Sequence, residues 1–309
     1  MEKPLIAVVV GPTASGKTSL AIELAKIFDG EIISADSMQI YKGMDIATAK
    51  PTQEEMQGIP HHLISIIEPD ETFSVNEFKS GSTEAIEDIL SRNKLPIIAG
   101  GTGFYVDTLI NNTEFLDFER NDLREELEKR AFAEGIDALY TELSSVDIET
   151  ASRLHKNDTK RIIRALEVYY GSGKTISEQC RLSHLNESKY RFCIIGLNAA
   201  DRQLLYQRIN QRVDNMLADG LLAEAQSFFS SAVSSTAKQA IGYKELKPYL
   251  DGLCSLDEAV EKLKMETRRY AKRQLTWFRK RDNINWIFTD GKSKEEIVSE
   301  AENIIRSHF

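Results

Sequence analysis

Hydrophobic positions near the N-terminus form an unbroken block. Leu5, Ile6, Ala7, Val8, Val9 and Val10 follow one another without a polar residue, the pattern of a strand covered on both faces of a parallel sheet. Residues 11–16 are turn-formers, and from Ser19 to Phe28 apolar positions recur every three or four residues, which predicts an amphipathic helix. Glu31 to Asp36 reads as a second short strand. Strand, loop, helix and strand in that order describe a βαβ unit, and hence a parallel sheet with helical crossovers.

Further along, 74–91 reads as helix, with Ser74 as N-cap and Glu77 at the capping-box position. Pro96 to Ala99 predicts another strand, closed by Gly100, Gly101, Thr102 and Gly103, with a helix starting near Phe104. Arg191–Leu197 and Ile284–Phe288 predict two more strands, separated by helical stretches at 201–219 and 256–281. Residues 114–187 carry no strand pattern and read as a helical insertion into the α/β core.

Composition narrows the class. The chain has 309 residues, 41% hydrophobic and 28% charged, which excludes a disordered protein. No apolar run approaches the roughly 20 residues that cross a bilayer. Met1-Glu2-Lys3-Pro4 leads straight into the first strand and does not read as a signal peptide. The cysteines, Cys180, Cys193 and Cys254, are odd in number and widely spaced, which argues against a disulfide framework or a zinc site and suits a reducing, cytoplasmic location. His61, His62 and His155 read as structural or solvent-facing residues.

The formal net charge of −9 argues at first against a nucleic-acid partner. Its distribution reverses that reading. Twelve acids face four bases between Glu114 and Glu149, whereas six bases face two acids from Arg153 to Lys174, and nine face one from Lys262 to Arg281. The last segment interleaves Tyr270, Trp277 and Phe278, so its aromatics can pack on a core while its bases meet phosphate or water. A basic face can exist on an acidic protein.

The strongest motif is Gly11-Pro12-Thr13-Ala14-Ser15-Gly16-Lys17-Thr18. It matches the P-loop pattern at every fixed position, between a buried strand and a helix. Such a loop turns successive N–H groups inward at a helix N-terminus and so binds a di- or triphosphate. Lys17 adds a mobile charge, and the Thr18 hydroxyl suits Mg2+. The fold expected is α/β: a P-loop NTPase-like parallel sheet core (1–113 and 188–309) with helices on both faces, plus an all-helical insertion domain (114–187).

Asp36 ends the strand that follows the loop helix, at the sheet edge where ligands bind. Three roles suit it: a helix cap, a metal carboxylate or a general base. Gly100 to Gly103 ends another strand at the same edge, and three glycines about one hydroxyl favour close approach of a ligand.

Together with the P-loop, the blocks 34–51 (Ser-Ala-Asp-Ser-Met-Gln-Ile-Tyr-Lys-Gly-Met-Asp-Ile-Ala-Thr-Ala-Lys-Pro), Gly100 to Tyr105, Ala240 to Lys244 and Lys272 to Trp277 resemble, in order, the bacterial tRNA dimethylallyltransferase family, also called tRNA isopentenyltransferases. The resemblance implies transfer of a dimethylallyl group from dimethylallyl pyrophosphate to N6 of the adenosine immediately 3′ of the anticodon. It makes Asp36 the general base, sets Thr102 beside the reacting amine, and adds Arg212 to the loop as a pyrophosphate ligand, with Mg2+ as cofactor. Asp36, Ser37, Met38 and Gln39 would touch the target nucleotide. Arg124, Lys160, Arg161, Ile162, Ile163, Arg164 and the run Gln239, Ala240, Ile241, Gly242, Tyr243, Lys244 match positions that contact tRNA. The insertion corresponds to the family's helical domain that clasps the anticodon stem-loop. A monomer with no obligate protein partner is implied.

Two departures stand out. No zinc-finger extension of the eukaryotic kind follows the core, and Lys244 stands where some members have Arg, without its bidentate fork. Two other functions share these features: a P-loop small-molecule kinase with Asp36 activating a hydroxyl, and a nucleotide-switched RNA-binding module.

Overall fold

The structure, a computed structural model, describes residues 2–115, 122–185 and 187–309. Part of the acidic stretch of the insertion, 116–121, therefore lies outside the described residues, as does Met1. The chain divides into two compact units, one formed by 1–108 with 189–309, the other by 109–188.

The first unit opens with β1 (Leu5–Val10), α1 (Lys17–Ile27), β2 (Gly30–Ser34), α2 (Gln53–Met56), β3 (His61–His62), α3 (Val75–Ser91), β4 (Leu95–Gly100) and α4 (Gly103–Ile110). The chain then forms α5 (Leu123–Glu134), α6 (Ile136–Val146), α7 (Ile148–Arg153), α8 (Thr159–Ser172) and α9 (Ile176–Leu185). It returns through β5 (Arg191–Asn198), α10 (Arg202–Ala218), α11 (Leu221–Ser230), α12 (Tyr243–Leu250), α13 (Leu256–Phe278), β6 (Ile284–Phe288) and α14 (Lys294–Arg306).

Six strands make one sheet in the order β3-β2-β4-β1-β5-β6, and every pairing is parallel. All six residues of β1 are buried, as its unbroken apolar run requires. Leu5, Ala7 and Val9 join a cluster with α1 and α14. Ile6, Val8 and Val10 are equally buried and alternate to the opposite side, so both faces of the sheet are covered. Register brings Val10 level with Gly100 and Ser34 level with Ala99. The carboxyl ends of β2, β4 and β1 thus form one contiguous edge.

A second cluster lies beyond that edge, where Ile40, Tyr41 and Met44 pack with Val213, Leu221, Tyr243 and Leu263. Ser74 and Glu77 form the expected capping box at α3. Differences from the sequence reading are local. The loop helix starts at Lys17, two residues early, because Gly16 adopts φ 91° and enters it directly. Helix α13 stops at Phe278, with Arg279 as its C-cap. β3 was not foreseen: two residues carry too little pattern, and they pair with Ile32 and Ile33 at the sheet's edge. There His62 Nε2 meets Glu31, which Arg92 and Lys94 also hold. That cluster keeps the Glu31 carboxyl down at about 2, mainly through Arg92.

The helical unit has a core of its own, built from Leu127, Leu139, Leu143, Ile162, Ile163 and Leu166. Asp147 organises it, accepting from Thr150 N at 3.0 Å, Thr150 Oγ1 at 2.6 Å and Ser177 N at 3.1 Å.

Candidate active site

The loop 11–18 sits at the end of β1, and its residues divide into two groups. Gly11, Pro12 and Thr13 shape the loop. Gly11 has φ 147°, and a Cβ there would lie 2.4 Å from Leu197 O, so only glycine fits. Pro12 has no N–H, and its carbonyl accepts from Lys17 Nζ at 2.6 Å. The Thr13 amide donates to Gln274 Oε1 at 2.8 Å and is therefore not available to an anion. Ala14, Ser15, Gly16, Lys17 and Thr18 form the turn and the first residues of α1, whose opening N–H groups have no partner within the helix. Ala14 itself is left-handed, with φ 61°. The Ser15 hydroxyl is buried and has no hydrogen-bond partner among the described residues.

Two cations converge on this loop. Burial pushes the Lys17 ammonium down to about 7, Arg212 lowers it further by repulsion, and Asp36 pulls it back. Burial likewise lowers Arg212 from its ordinary value, against the pull of Asp36 and Glu55. Arg212 forms no salt bridge among the described residues. A pocket in which burial lowers both cations is built to receive an anion.

Asp36 follows the end of β2. Its Oδ1 accepts from Met38 N at 2.9 Å, which folds 36–38 into a tight turn, and the residue lines the cavity. Thr102 fixes this turn from β4: its amide donates to Ala35 O at 3.1 Å, and its hydroxyl accepts from Ser37 N at 3.0 Å. The glycines around Thr102 permit the approach. A Cβ on Gly100 would lie 2.2 Å from Ala35 O, and one on Gly103 would lie 2.3 Å from the Trp277 ring. Gln39 spans the same region, donating to Thr48 O and Ala49 O at 3.2 Å each.

One cavity of about 260 Å³ joins these parts, lined among others by Thr13, Lys17, Thr18, Asp36, Ser37, Met38, Gln39 and Arg212. Gln239, Ala240, Ile241, Gly242 and Lys244 line it as well. A second cavity of about 730 Å³ lies against the outer side of the loop and shares Lys17, Thr18, Ala49, Arg212 and Met216 with the first. The anion site is thus flanked by two openings, only one of which holds Asp36.

Three expected contact residues are instead packed inside. Tyr243 is fully buried, stacked on Phe228 at 4.1 Å, and its hydroxyl donates to Glu224 at 2.8 Å. Ile162 and Ile163 are 0% and 4% exposed in the core of the helical unit. They share α8 with the bases because a helix turns apolar positions inward between polar ones. Lys160, Arg161 and Arg164 are exposed on that helix. Arg161 pairs with Asp158, and both Arg164 and Arg124 pair with Glu167 at 3.0 and 3.2 Å.

The sequence reading gave Tyr270 to core packing and Arg273 to phosphate or water, and gave Gln274 no role, whereas all three line the cavity. They sit in the basic aromatic segment, whose charge masked its inward face. Trp277 and Arg281 are tied down instead, both donating to Asp107, at 2.7 and 2.6 Å.

No group of three or more His, Cys, Asp or Glu suited to a metal exists among the described residues. A cation at this loop would draw most of its shell from substrate oxygens and water, which is the habit of Mg2+. Thr18, lining both cavities, fits that arrangement.

A parallel sheet with a P-loop, paired cations and an opposed carboxylate defines a P-loop α/β enzyme that acts on a phosphorylated substrate. The IPP transferase family model matches residues 39–281, and that of isopentenyl transferase residues 4–68. A tRNA dimethylallyltransferase of Thermoanaerobacter sp. (strain X514) is 52% identical over 97% of this chain and 96% of its own. That of Bacillus anthracis is 47% identical over 96% and 95%. Among solved structures, the tRNA isopentenylpyrophosphate transferase of Bacillus halodurans superposes with TM-score 0.74 at 43% identity, covering 99% of this chain and 96% of that one. A eukaryotic dimethylallyltransferase acting on tRNA gives 0.83 at 32% identity, covering 99% and 79%. The chain belongs to the tRNA dimethylallyltransferase family.

Proposed function

We propose that this enzyme transfers the dimethylallyl group of dimethylallyl pyrophosphate to N6 of the adenosine immediately 3′ of the anticodon in tRNA, releasing diphosphate. The observation that carries the reading is that one cavity brings together a cationic anion loop and a carboxylate that accepts from Met38 N, in a turn pinned where Thr102 Oγ1 accepts from Ser37 N. Ala14 to Thr18, Lys17 and Arg212 hold the diphosphate. As the allylic C–O bond breaks, charge grows on the diphosphate oxygens, where those donors are already aimed. Thr18 would hold Mg2+, which when bound neutralises diphosphate charge.

The acceptor amine is weakly nucleophilic, because its lone pair is shared with the purine ring. Asp36 accepts the N6 proton as the new C–N bond forms. Such an amine reaches a recessed carboxylate only after its base leaves the stack. Ser37, Met38, Gln39 and the wall from Gln239 to Lys244, Tyr243 excepted, receive it. Arg124, Lys160, Arg161 and Arg164 of the helical unit meet tRNA phosphates. A cytoplasmic location fits these substrates, and no described helix is long and apolar enough to cross a membrane.

The test is incubation of the enzyme with tRNA and either labelled dimethylallyl pyrophosphate or labelled ATP. Label passes to RNA from the prenyl donor alone. Phosphate transfer from ATP to a small hydroxyl compound, with the RNA unlabelled, overturns the proposal in favour of a kinase.

A further inference from the structure

Gln274 lies where the two halves of the site meet, and the transfer chemistry leaves it without a role. The residue is 6% exposed. Oε1 accepts from Thr13 N at 2.8 Å, and Nε2 donates to Gly101 O at 3.0 Å. One planar amide therefore spans the ends of β1 and β4, with its acceptor on the anion loop and its donor on the strand-end turn. The fit leaves no room for a side chain at 101, where a Cβ would lie 2.1 Å from Gln274 Nε2.

The connection continues to the carboxylate. Gly101 leads directly into Thr102, whose hydroxyl holds the Ser37 amide next to Asp36. Tyr270, one turn earlier on α13, lines the same cavity as Gln274. A short network thus runs from Thr13 through Gln274 and Gly101 to the Asp36 turn, its central bond buried. A helix position facing two loops needs only an apolar side chain for packing, since burying an amide carries a desolvation penalty unless both ends are satisfied. Satisfied at both ends, it fixes geometry.

We propose that Gln274 is a positioning residue that sets the anion loop against the Asp36 carboxylate, so that the allylic carbon and the acceptor amine meet in line. The assignment rests on the reading of the cavity as a prenyl-transfer site. Ground-state binding of either substrate does not need this register, whereas the transition state does. Displacement of about 1 Å between reacting groups lowers rates by on the order of 10²-fold.

Two variants test it in the full-length enzyme, with kcat normalised to sites that bind tRNA. In Gln274→Met, which keeps the shape and removes both hydrogen bonds, kcat falls by about 10²-fold, while KM for dimethylallyl pyrophosphate and for tRNA each stay within about 3-fold. In Gln274→Glu, the ionised carboxylate faces the Gly101 carbonyl. Its protonated form restores a donor to Gly101 and an acceptor to Thr13. The ratio of its kcat to wild type therefore climbs as pH is lowered. A packing role would lower thermal stability in both variants and leave that ratio flat. A Met variant of normal kcat, a loss carried by KM, or a flat ratio overturns the proposal. An inactive wild-type enzyme would instead overturn the reading on which it rests.

Discussion

Asp36 and Lys17 share one cavity with different tasks, and each can be disturbed separately. The Asp36 carboxylate uses Oδ1 for its own turn, and asparagine keeps an oxygen that can accept the same bond. Asp36→Asn therefore removes the base while preserving the loop. Transfer is expected to fall by on the order of 10² to 10⁴-fold, with tRNA affinity in a filter-binding titration nearly unchanged. A rate within a few-fold of wild type would remove Asp36 as base. Lys17 gives a pH signature. Its ammonium sits at about 7 in the free site, and a bound diphosphate raises it. Diphosphate affinity is then fully present below about pH 7 and declines as pH rises above it. Calorimetry of diphosphate binding near neutral pH, repeated in buffers of different ionisation enthalpy, should register proton uptake. Proton release would contradict the assignment.

The elements show why some of the site could be read from the sequence and some could not. The P-loop was legible because its chemistry is local: backbone curvature, an anion nest and a lysine fall within eight successive residues. Asp36 and Gly100 to Gly103 were legible as strand ends, although position alone left Asp36 open among helix cap, metal carboxylate and general base. Arg212, the Gln239 to Lys244 wall and the bases expected to meet tRNA came from resemblance, and Tyr243, Ile162 and Ile163 show its limit, since matching a motif does not say which side chains face outward. Gln274 has no local signature, because its two partners are 261 and 173 residues away in sequence.

Glu224 is a further long-range case. It accepts from the successive amides of Asp45, Ile46 and Ala47 at 2.9, 2.7 and 2.9 Å, and from the Tyr243 hydroxyl at 2.8 Å. One carboxylate on α11 thus holds the 45–47 turn, whose Ala47 lines the cavity. Glu224→Ala should destabilise the fold by on the order of 2 to 3 kcal/mol, measured by denaturant unfolding. No loss of stability would mean the amides find other partners.

At the scale of the whole molecule, acidity and basicity are kept apart. The −9 total coexists with the exposed bases Lys160, Arg161 and Arg164 on α8. Replacing those three by alanine should weaken tRNA binding and make its salt dependence shallower, by on the order of one for each phosphate no longer neutralised. Arg161 and Arg164 already pair with Asp158 and Glu167, so Lys160 should contribute the largest share. An unchanged slope would place tRNA elsewhere.

The most direct test of the central claim maps the product. Unmodified tRNA is incubated with the enzyme and dimethylallyl pyrophosphate, digested to nucleosides, and analysed by mass spectrometry alongside measurement of released diphosphate. The expected product is N6-dimethylallyladenosine at the position 3′ of the anticodon, with one diphosphate released per adduct. Unaltered adenosine at that position, with the donor intact, would contradict it.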